Sequence, residues 1–183
     1  LAGRGFGRPA SERKRAAHAL FMTAVLAALS FLPALPWTTL WDRDEGYYVG
    51  CAQEMADRGD PFVPRFSGRP WLEKPPLTYW AMALSLRFVP GGEAAARLPS
   101  ALAAIAAMLL TLRLGRRMYG LATGALAAGI LGTTLLFAGA GRMAMLDTTL
   151  VGCVLLALNG LWDYLDGGRR GGLWVFYVGC GLG

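Results

Sequence analysis

The sequence predicts an all-α protein with several membrane-spanning helices, and three observations support this fold class. Of its 183 residues, 55% are apolar. These residues are concentrated in blocks separated by short polar segments, and the basic residues are grouped beside those blocks. A spanning helix needs about 20 mainly apolar residues, because each residue adds about 1.5 Å to its length. The net charge of +6 therefore reflects membrane topology, and no nucleic-acid partner is expected.

The first elements are a polar N-terminus and a spanning helix. Residues 1–15 contain five basic side chains and predict a cytoplasmic N-terminus. Residues 16–40 predict transmembrane helix 1, with Trp37 and Trp41 at the membrane interface. A signal peptide would also begin with basic residues. However, the segment FLPALPW at 31–37 offers no small-x-small cleavage site, which favours a retained helix.

Residues 41–96 are predicted to form one extracytoplasmic loop with two interfacial helices. The apolar stretch 77–86 is too short to span comfortably. If it crossed the membrane, the basic group at 113–117 would face outward. If it stays at the surface, all the short basic segments face the cytoplasm, as the positive-inside rule favours. Those segments are residues 1–15, residues 113–117 and Arg169-Arg170.

Residues 97–183 are predicted to supply transmembrane helices 2–4 and the start of helix 5. The apolar blocks are 98–112, 121–140, 148–162 and 173–183. Gly124, Gly129 and Gly132 in the third helix predict close approach of neighbouring helices. The chain begins at Leu1 and stops within an apolar block, so we expect an N-terminal piece of a longer protein, inactive by itself.

Three carboxylates crowd the start of the loop, at Asp42, Asp44 and Glu45. One explanation is structural, because Asp42 and Glu45 have capping-box spacing and acids are favoured at a helix N-terminus. Capping requires one or two acids rather than three, so a functional role has equal support. The helix that follows should end at Gly59-Asp60-Pro61. One face of that helix contains Tyr48, Cys51, Ala52 and Met55.

Further charged residues lie beside the apolar blocks. In Glu73-Lys74-Pro75-Pro76 the prolines restrict the backbone, and Lys74 could bind a phosphate; the alternative is a solvated charge pair before a helix that begins with proline. Arg142 and Asp147 flank the turn after the third helix, where charges tend to be functional or paired. The alternative there is an interfacial arginine and an N-cap aspartate. Arg97 is expected to snorkel to the interface.

In this order, the motifs resemble the GT-C glycosyltransferases of the protein O-mannosyltransferase and aminoarabinose lipid A transferase group. The resemblance runs from about residue 40 to residue 165 and rests on the order of four motifs. They are Asp44-Glu45, Glu73-Lys74-Pro75-Pro76, Ala96-Arg97-Leu98-Pro99-Ser100 and Leu146-Asp147. It implies a GT-C-like helical bundle in the bacterial inner membrane. It also implies a polyprenyl-phosphate-linked sugar donor and an extracytoplasmic lipid, protein or glycan acceptor.

The resemblance also implies roles for individual residues. Asp44 and Asp147 are expected to be catalytic, together with Glu45. Substrate-binding roles are expected for Glu73, Lys74, Tyr48, Trp71, Arg65 and Arg142. Position 71 is more usually tyrosine in the aminoarabinose enzymes, so only stacking or packing is expected of Trp71.

Chemical requirements agree with these assignments. Inverting glycosyl transfer needs a base on the acceptor and stabilisation of an oxocarbenium-like centre. It also needs cations near the leaving phosphate, a role for Lys74 with Arg65 or Arg142. No cofactor or obligatory metal is expected, although Asp44, Glu45 and Glu73 could ligate a divalent cation. Two alternative functions remain: a lipid-linked sugar transporter or flippase, and a non-catalytic membrane assembly protein.

Overall fold

The computed structural model describes residues 10–33, 35–36, 39–40, 43–59 and 62–183, and they form a helical bundle with one short hairpin. The elements are α1 (Ala10–Phe31), α2 (Arg43–Arg58), β1 (Arg65–Phe66), β2 (Arg69–Pro70), α3 (Leu77–Phe88), α4 (Glu93–Tyr119), α5 (Leu121–Thr133), α6 (Leu135–Ala140), α7 (Asp147–Gly167) and α8 (Arg170–Leu182). The all-α prediction is confirmed. The expectations for Trp37, Trp41, Asp42, Asp60 and Pro61 concern positions outside the described residues.

Helix α4 is the centre of the bundle, and α1, α5 and α7 all pack against it. The contact surface of α4 is built from small residues, since Ala101, Ala104 and Ala107 are all fully buried. Opposite them, the rings of Phe31 and Phe137 meet edge to face with centroids 6.1 Å apart. Small residues on α4 and aromatic rings on α1 and α6 pack together in one hydrophobic core.

Glycines permit the closest helix contacts. A Cβ on Gly124 of α5 would lie 2.6 Å from the backbone of α4, and one on Gly160 of α7 would lie 2.6 Å from the backbone of α8. A Cβ on Gly132 would meet the Met108 side chain, whereas one on Gly129 would meet nothing within 4 Å. Close packing by Gly124 and Gly132 agrees with the sequence prediction, and Gly129 does not share it.

Two helix boundaries differ from the predictions. The first helix spans Ala10–Phe31 rather than 16–40, because Pro33 and Pro36 cannot donate the backbone hydrogen bonds that would continue it. The predicted segment 121–140 is divided at Thr134, whose backbone is extended (ψ 122°). The Thr134 hydroxyl donates to the Ile130 carbonyl at 2.8 Å, which offers the backbone an alternative to the helical ladder.

Proline 99 lies inside α4, and α3 compensates for it. Proline lacks an N–H, so the carbonyl four residues earlier, that of Ala95, loses its helical partner. The buried hydroxyl of Ser85 on α3 donates to this carbonyl at 2.6 Å. This bond satisfies the freed acceptor and fixes the surface helix α3 to the bundle.

The ends of the bundle carry different charges. Arg113 and Arg117 of α4 pair with Asp163 near the end of α7, and both arginines line a cavity with Ala16 near the start of α1. The start of α1, the end of α4 and the end of α7 therefore lie at one end of the bundle. By length and composition, two helices in the described part can cross a membrane, Glu93–Tyr119 and Asp147–Gly167. The shorter helix Leu121–Thr133 is also apolar.

Candidate functional site

The α2 helix presents one apolar face to α3 and one polar face to solvent. Cys51 and Ala52 are fully buried, Met55 is 4% exposed, and Tyr48 packs beside Tyr79 of α3 with ring centroids 6.0 Å apart. This is the face that the sequence predicted, since positions three, four and seven residues apart share one side of a helix. The helix therefore holds its N-terminal acids, Asp44 and Glu45, against the rest of the bundle.

A two-residue hairpin forms one wall of the site. Ser67 and Gly68 both have positive φ, 51° and 79°, as a type I′ turn requires. The turn pairs Phe66 with Arg69 across the two strands. The Gly68 N–H donates to the carboxylate of Glu54 on α2 at 3.0 and 3.2 Å, so the hairpin is anchored to α2.

Three aromatic rings cluster between α2 and the hairpin. Trp71 stacks on Tyr47 with centroids 5.7 Å apart and ring planes 9° from parallel. Phe66 meets both rings edge-on, at 4.8 Å from Tyr47 and 5.9 Å from Trp71. Stacked and edge-on pairs of this kind stabilise packing beyond the area they bury. The cluster gives the site a rigid aromatic wall.

A cavity of about 1000 Å³ opens beside this wall. Five residues predicted from the sequence line it together: Asp44, Tyr48, Trp71, Glu73 and Lys74. Tyr47, Phe66 and Arg69 also line it, and the sequence predictions did not include them.

A smaller neighbouring cavity of about 110 Å³ connects this region to the predicted second aspartate. Asp147 lines it, and the two cavities share Tyr48 and Lys74. Asp147 and Asp44 are both exposed. Six of the nine predicted site residues, five in the large cavity and Asp147, therefore surround one polar region at the end of the bundle away from the basic segments.

Glu45 follows Asp44 on α2 and is fully buried, and Arg97 is 1% exposed. The Arg97 guanidinium donates to both carboxylate oxygens of Glu45, at 2.7 and 3.1 Å. It also donates to the carbonyls of Leu35 and Thr39, at 3.1 and 2.9 Å. The same carboxylate accepts the Ala144 N–H at 2.8 Å. One ion pair thus connects the segment after α1 with α2, α4 and the loop before α7.

These contacts bear on two expectations. Glu45 was expected to be catalytic, but its carboxylate is fully buried and accepts hydrogen bonds from Arg97 and Ala144. This geometry suits a residue that holds other groups in position, and a catalytic role for Glu45 stays a prediction. Arg97 does not snorkel to the interface. A buried charge requires a partner, and Arg97 finds one in Glu45, which lies 52 residues earlier in the chain.

The loop before Asp147 is fixed from a second direction by α4. The Ser100 hydroxyl donates to the Met145 carbonyl at 2.8 Å, and the buried Thr148 hydroxyl donates to the Ser100 carbonyl at 3.1 Å. Together with the Glu45–Ala144 bond, these contacts hold Asp147 in a fixed place relative to Asp44.

Two predicted phosphate-binding arginines do not line the large cavity. Arg142 donates from Nε to the Ser30 carbonyl at 3.1 Å, at the end of α1. Arg65 donates to the Gly68 carbonyl within the hairpin at 3.3 Å. The hairpin register brings Arg69 to the cavity instead. The sequence could have indicated this register through Ser67-Gly68, because such a pair between two short extended segments is typical of a two-residue turn.

Two buried groups with raised pKa values pack behind the aromatic residues of the site. Burial raises the pKa of the Cys51 thiol to about 11, and the nearby Glu54 charge adds to this effect. Burial also raises the pKa of Tyr79 well above its ordinary value, and the adjacent Cys51 contributes. Both groups are therefore uncharged near neutral pH. The described residues contain no group of three or more His, Cys, Asp or Glu side chains that could hold a metal ion.

Comparisons with known proteins agree with this architecture. The sequence profile of the family described as "Dolichyl-phosphate-mannose-protein mannosyltransferase" matches residues 73–183, which is more than half of the chain. An undecaprenyl phosphate-alpha-4-amino-4-deoxy-L-arabinose arabinosyl transferase from Edwardsiella ictaluri (strain 93-146) is 32% identical over 168 residues. A protein of the same name from Pseudomonas aeruginosa (strain UCBPP-PA14) is 34% identical over 160 residues.

Both alignments cover most of this chain but a minor part of each relative. They include 89% of the chain and 30% of the Edwardsiella protein, and 85% of the chain and 29% of the Pseudomonas protein. The chain thus spans less than a third of the length of these relatives.

The fold is similar to that of solved structures. The crystal structure of ArnT from Cupriavidus metallidurans bound to undecaprenyl phosphate matches with a TM-score of 0.81 and 23% identity, over 88% of this chain and 31% of that one. The apo structure of the same protein matches with a TM-score of 0.79 and 23% identity, over 91% of this chain and 32% of that one. This likeness confirms the predicted fold, a helical bundle of a polytopic membrane protein.

Proposed function

This chain belongs to the dolichyl-phosphate-mannose-protein mannosyltransferase family, and we propose that the full-length protein transfers a sugar from a polyprenyl-phosphate carrier to an extracytoplasmic acceptor. The names of its arabinosyl transferase relatives specify undecaprenyl phosphate and 4-amino-4-deoxy-L-arabinose. We extend that donor class, a pentose or hexose on undecaprenyl phosphate, to this protein. The acceptor is a lipid, a protein or a surface glycan.

The observation that carries this proposal is the grouping of Asp44, Glu73 and Lys74 around one cavity. Asp44 and Glu73 lie about 30 residues apart in sequence, on different elements, yet both line the same 1000 Å³ space with a cation beside them. An acid for the acceptor and a cation for a phosphate are the groups that this transfer requires.

The proposed reaction is a single inverting displacement. The acceptor hydroxyl oxygen forms a bond to the anomeric carbon of the sugar while the bond from that carbon to the carrier phosphate oxygen breaks. Asp44 accepts the hydroxyl proton, and Asp147 assists in orienting the acceptor. Lys74 and Arg69 neutralise the charge on the departing polyprenyl phosphate. Because phosphate is a good leaving group, the mechanism needs no strong general acid.

Charge distribution supports an orientation with the site outside the cytoplasm. Arg113, Arg116 and Arg117 of α4 lie at the opposite end of the bundle from Asp44 and Asp147, and positive residues favour the cytoplasmic side. We therefore propose that the protein lies in the bacterial inner membrane with its site facing outward. A polyprenyl carrier could then keep its tail among the membrane helices while its phosphate reaches the cavity.

Replacement of Asp44 by asparagine tests the proposed base. In the full-length protein, Asp44→Asn should lower sugar transfer about 10²–10⁴-fold without loss of folded protein. The measurement is transfer of radiolabelled sugar in membranes. Asp57→Asn is the matched control, because Asp57 is an exposed acid on the same helix that does not line the cavity. Full activity of Asp44→Asn would show that Asp44 is not the base of the transfer reaction.

Flippase activity is the alternative function, because a lipid-linked sugar transporter would also place charged residues near one membrane face. Proteoliposomes with the full-length protein and a labelled sugar carrier should show transfer only when an acceptor is present. Movement of the carrier between leaflets, with no transfer to any acceptor, would replace the transferase assignment with a transport one.

A further inference from the structure

Another cavity lies at the basic end of the bundle, between α1 and α4. It has a volume of about 320 Å³ and combines two kinds of lining. Leucine side chains, including Leu20 and Leu109, form an apolar part, and Arg113, Arg116 and Arg117 form a cationic part. The proposed sugar transfer uses none of these residues.

The arginines carry more charge than their partners neutralise. Asp163 pairs with both Arg113, at 2.7 Å, and Arg117. Arg117 also lies 3.6 Å from the carboxylate of Asp166, whose side chain is 58% exposed. Asp163 and Asp166 thus pair with Arg113 and Arg117. Within the described part of the chain, Arg116 forms no ion pair.

The surroundings of the cavity add further positive charge. Lys14 and Arg15 directly precede Ala16, which lines the cavity, and both are exposed. Glu12, one helical turn before Ala16, is also exposed, so these three side chains together add a net charge of +1. The uncompensated charge of Arg116 therefore faces an opening whose border is also basic. An anionic ligand is favoured here by charge, and the leucines favour one with an apolar portion.

We propose that this cavity binds an anionic phospholipid of the cytoplasmic leaflet. Its phosphate pairs with Arg116, and the neighbouring arginines, oriented by Asp163, contribute to the positive potential. One acyl chain lies against Leu20 and Leu109. Basic cavities between membrane helices at the cytoplasmic surface suit such headgroups, because the leaflet contains anionic lipids and the helix ends lie at headgroup depth. The leaflet assignment uses the orientation proposed above, whereas the binding chemistry does not depend on sugar transfer.

Native mass spectrometry of the full-length protein tests this site with two lipids. Dioleoyl phosphatidylglycerol and dioleoyl phosphatidylcholine have the same acyl chains and differ in headgroup charge. Phosphatidylglycerol should bind in preference, with one tight site per chain. Arg116→Gln should weaken that site about fivefold, as expected for one cation near a lipid phosphate.

Two further variants separate a defined site from general attraction of the basic surface. Leu20→Trp keeps every charge but fills the apolar part; because Leu20 is 47% exposed, the change is compatible with folding, and binding should fall. Arg170→Gln removes a cation at the same end of the bundle that does not line the cavity, and binding should be unchanged.

Three results would overturn the proposal. Equal binding of the two lipids would show that headgroup charge is not recognised. Equal losses in Arg116→Gln and Arg170→Gln would indicate diffuse attraction without a site. Retention of undecaprenyl phosphate in place of phosphatidylglycerol, lost on Arg116→Gln, would assign the cavity to the carrier. None of these results depends on transferase activity, so they test this cavity separately from the sugar-transfer site.

Discussion

At the scale of single residues, Asp44 and Glu45 are adjacent in sequence and have opposite environments. Successive helical residues differ by about 100° in direction, so Asp44 faces the cavity region while Glu45 faces the interior. Glu45 accepts bonds from Arg97 and Ala144 and is fully buried. The two carboxylates thus differ in place: Asp44 lines the large cavity, and Glu45 is bonded to the backbone and side chains of the bundle interior.

Removal of Arg97 should be far more costly than removal of an exposed arginine. Arg97→Gln leaves the buried Glu45 carboxylate without its cation, and we expect a loss of about 3–5 kcal/mol in unfolding free energy. Arg58→Gln, which breaks only the surface pair with Glu54, should cost less than about 1 kcal/mol. Reversible unfolding of the full-length protein in mixed micelles measures both changes.

The double variant Glu45→Gln/Arg97→Gln supplies the matching control for this prediction. Because both charges are then absent, its loss should be smaller than the sum of the single losses. Strict additivity would indicate that the two side chains do not stabilise each other.

The hairpin register predicts different effects for two nearby arginines. Arg69 lines the large cavity and Arg65 does not. One charge-assisted hydrogen bond to a phosphate corresponds to about 1.5–3 kcal/mol, so Arg69→Gln should lower kcat/KM for the sugar donor about 10–100-fold. Arg65→Gln should leave it near the parent value. Transfer assays at varied donor concentration measure kcat/KM for both variants. A larger loss in Arg65→Gln than in Arg69→Gln would show that the hairpin register does not determine which arginine binds the donor.

At the scale of elements, helices approach where one partner has no side chain. Gly124 and Gly115 pack against each other across α4 and α5, so that a Cβ on either would come within 3 Å of the opposite backbone. Backbone atoms cannot move aside as a flexible side chain can. The α4–α5 contact therefore depends on the absence of a Cβ at these positions.

Gly124→Ile and Gly129→Ile form a matched pair on the same helix. The first places a branched side chain against the α4 backbone and should lower the thermal stability of the full-length protein by several degrees. The second meets nothing within 4 Å and should change it little. Thermal unfolding in detergent measures both variants. Equal changes in the melting temperature of the two variants would mean that helix propensity, and not packing against α4, determines the loss of stability.

At the scale of the whole molecule, two ends of one bundle have different chemistry. Asp44, Glu73, Lys74 and Asp147 line cavities at one end, whereas Arg113, Arg116 and Arg117 of α4 line a cavity at the other. Arg97 and its partners fasten α2, α4 and the loop before α7 together at the first end. This separation supports the proposed orientation, with the arginine end at the cytoplasmic side and the candidate site at the opposite side of the membrane.

Cysteine labelling tests that orientation. In a variant whose own cysteines are replaced by alanine, Glu73→Cys should react with an impermeant maleimide added to intact spheroplasts. Arg170→Cys should react only after the membrane is permeabilised, because it lies at the basic end. Reaction of both cysteines in intact spheroplasts, or the reverse pattern, would exclude the proposed topology.

The sequence predicted local features that depend on spacing along one element. The buried face of α2, with Cys51, Ala52 and Met55, followed from helical periodicity. The close packing of Gly124 followed from its small size. The predicted limits of two helices were wrong. The first helix ends at Phe31 because Pro33 and Pro36 cannot donate backbone hydrogen bonds, and the segment 121–140 is divided at Thr134, whose hydroxyl bonds to the Ile130 carbonyl. The grouping of Asp44 with Glu73 and Lys74 was expected from motif order in related enzymes rather than from physical spacing.

By itself, the sequence determined the helical class, the apolar segments and the acids available to a site, because these depend on composition and periodicity. Only the tertiary structure decided which acid is exposed and which arginine faces the cavity. Glu45 is buried because Arg97, 52 residues away, meets it there, and Arg69 replaces Arg65 because of a turn register. Burial and ion pairing depend on partners that are far apart in sequence, so local sequence patterns do not predict them.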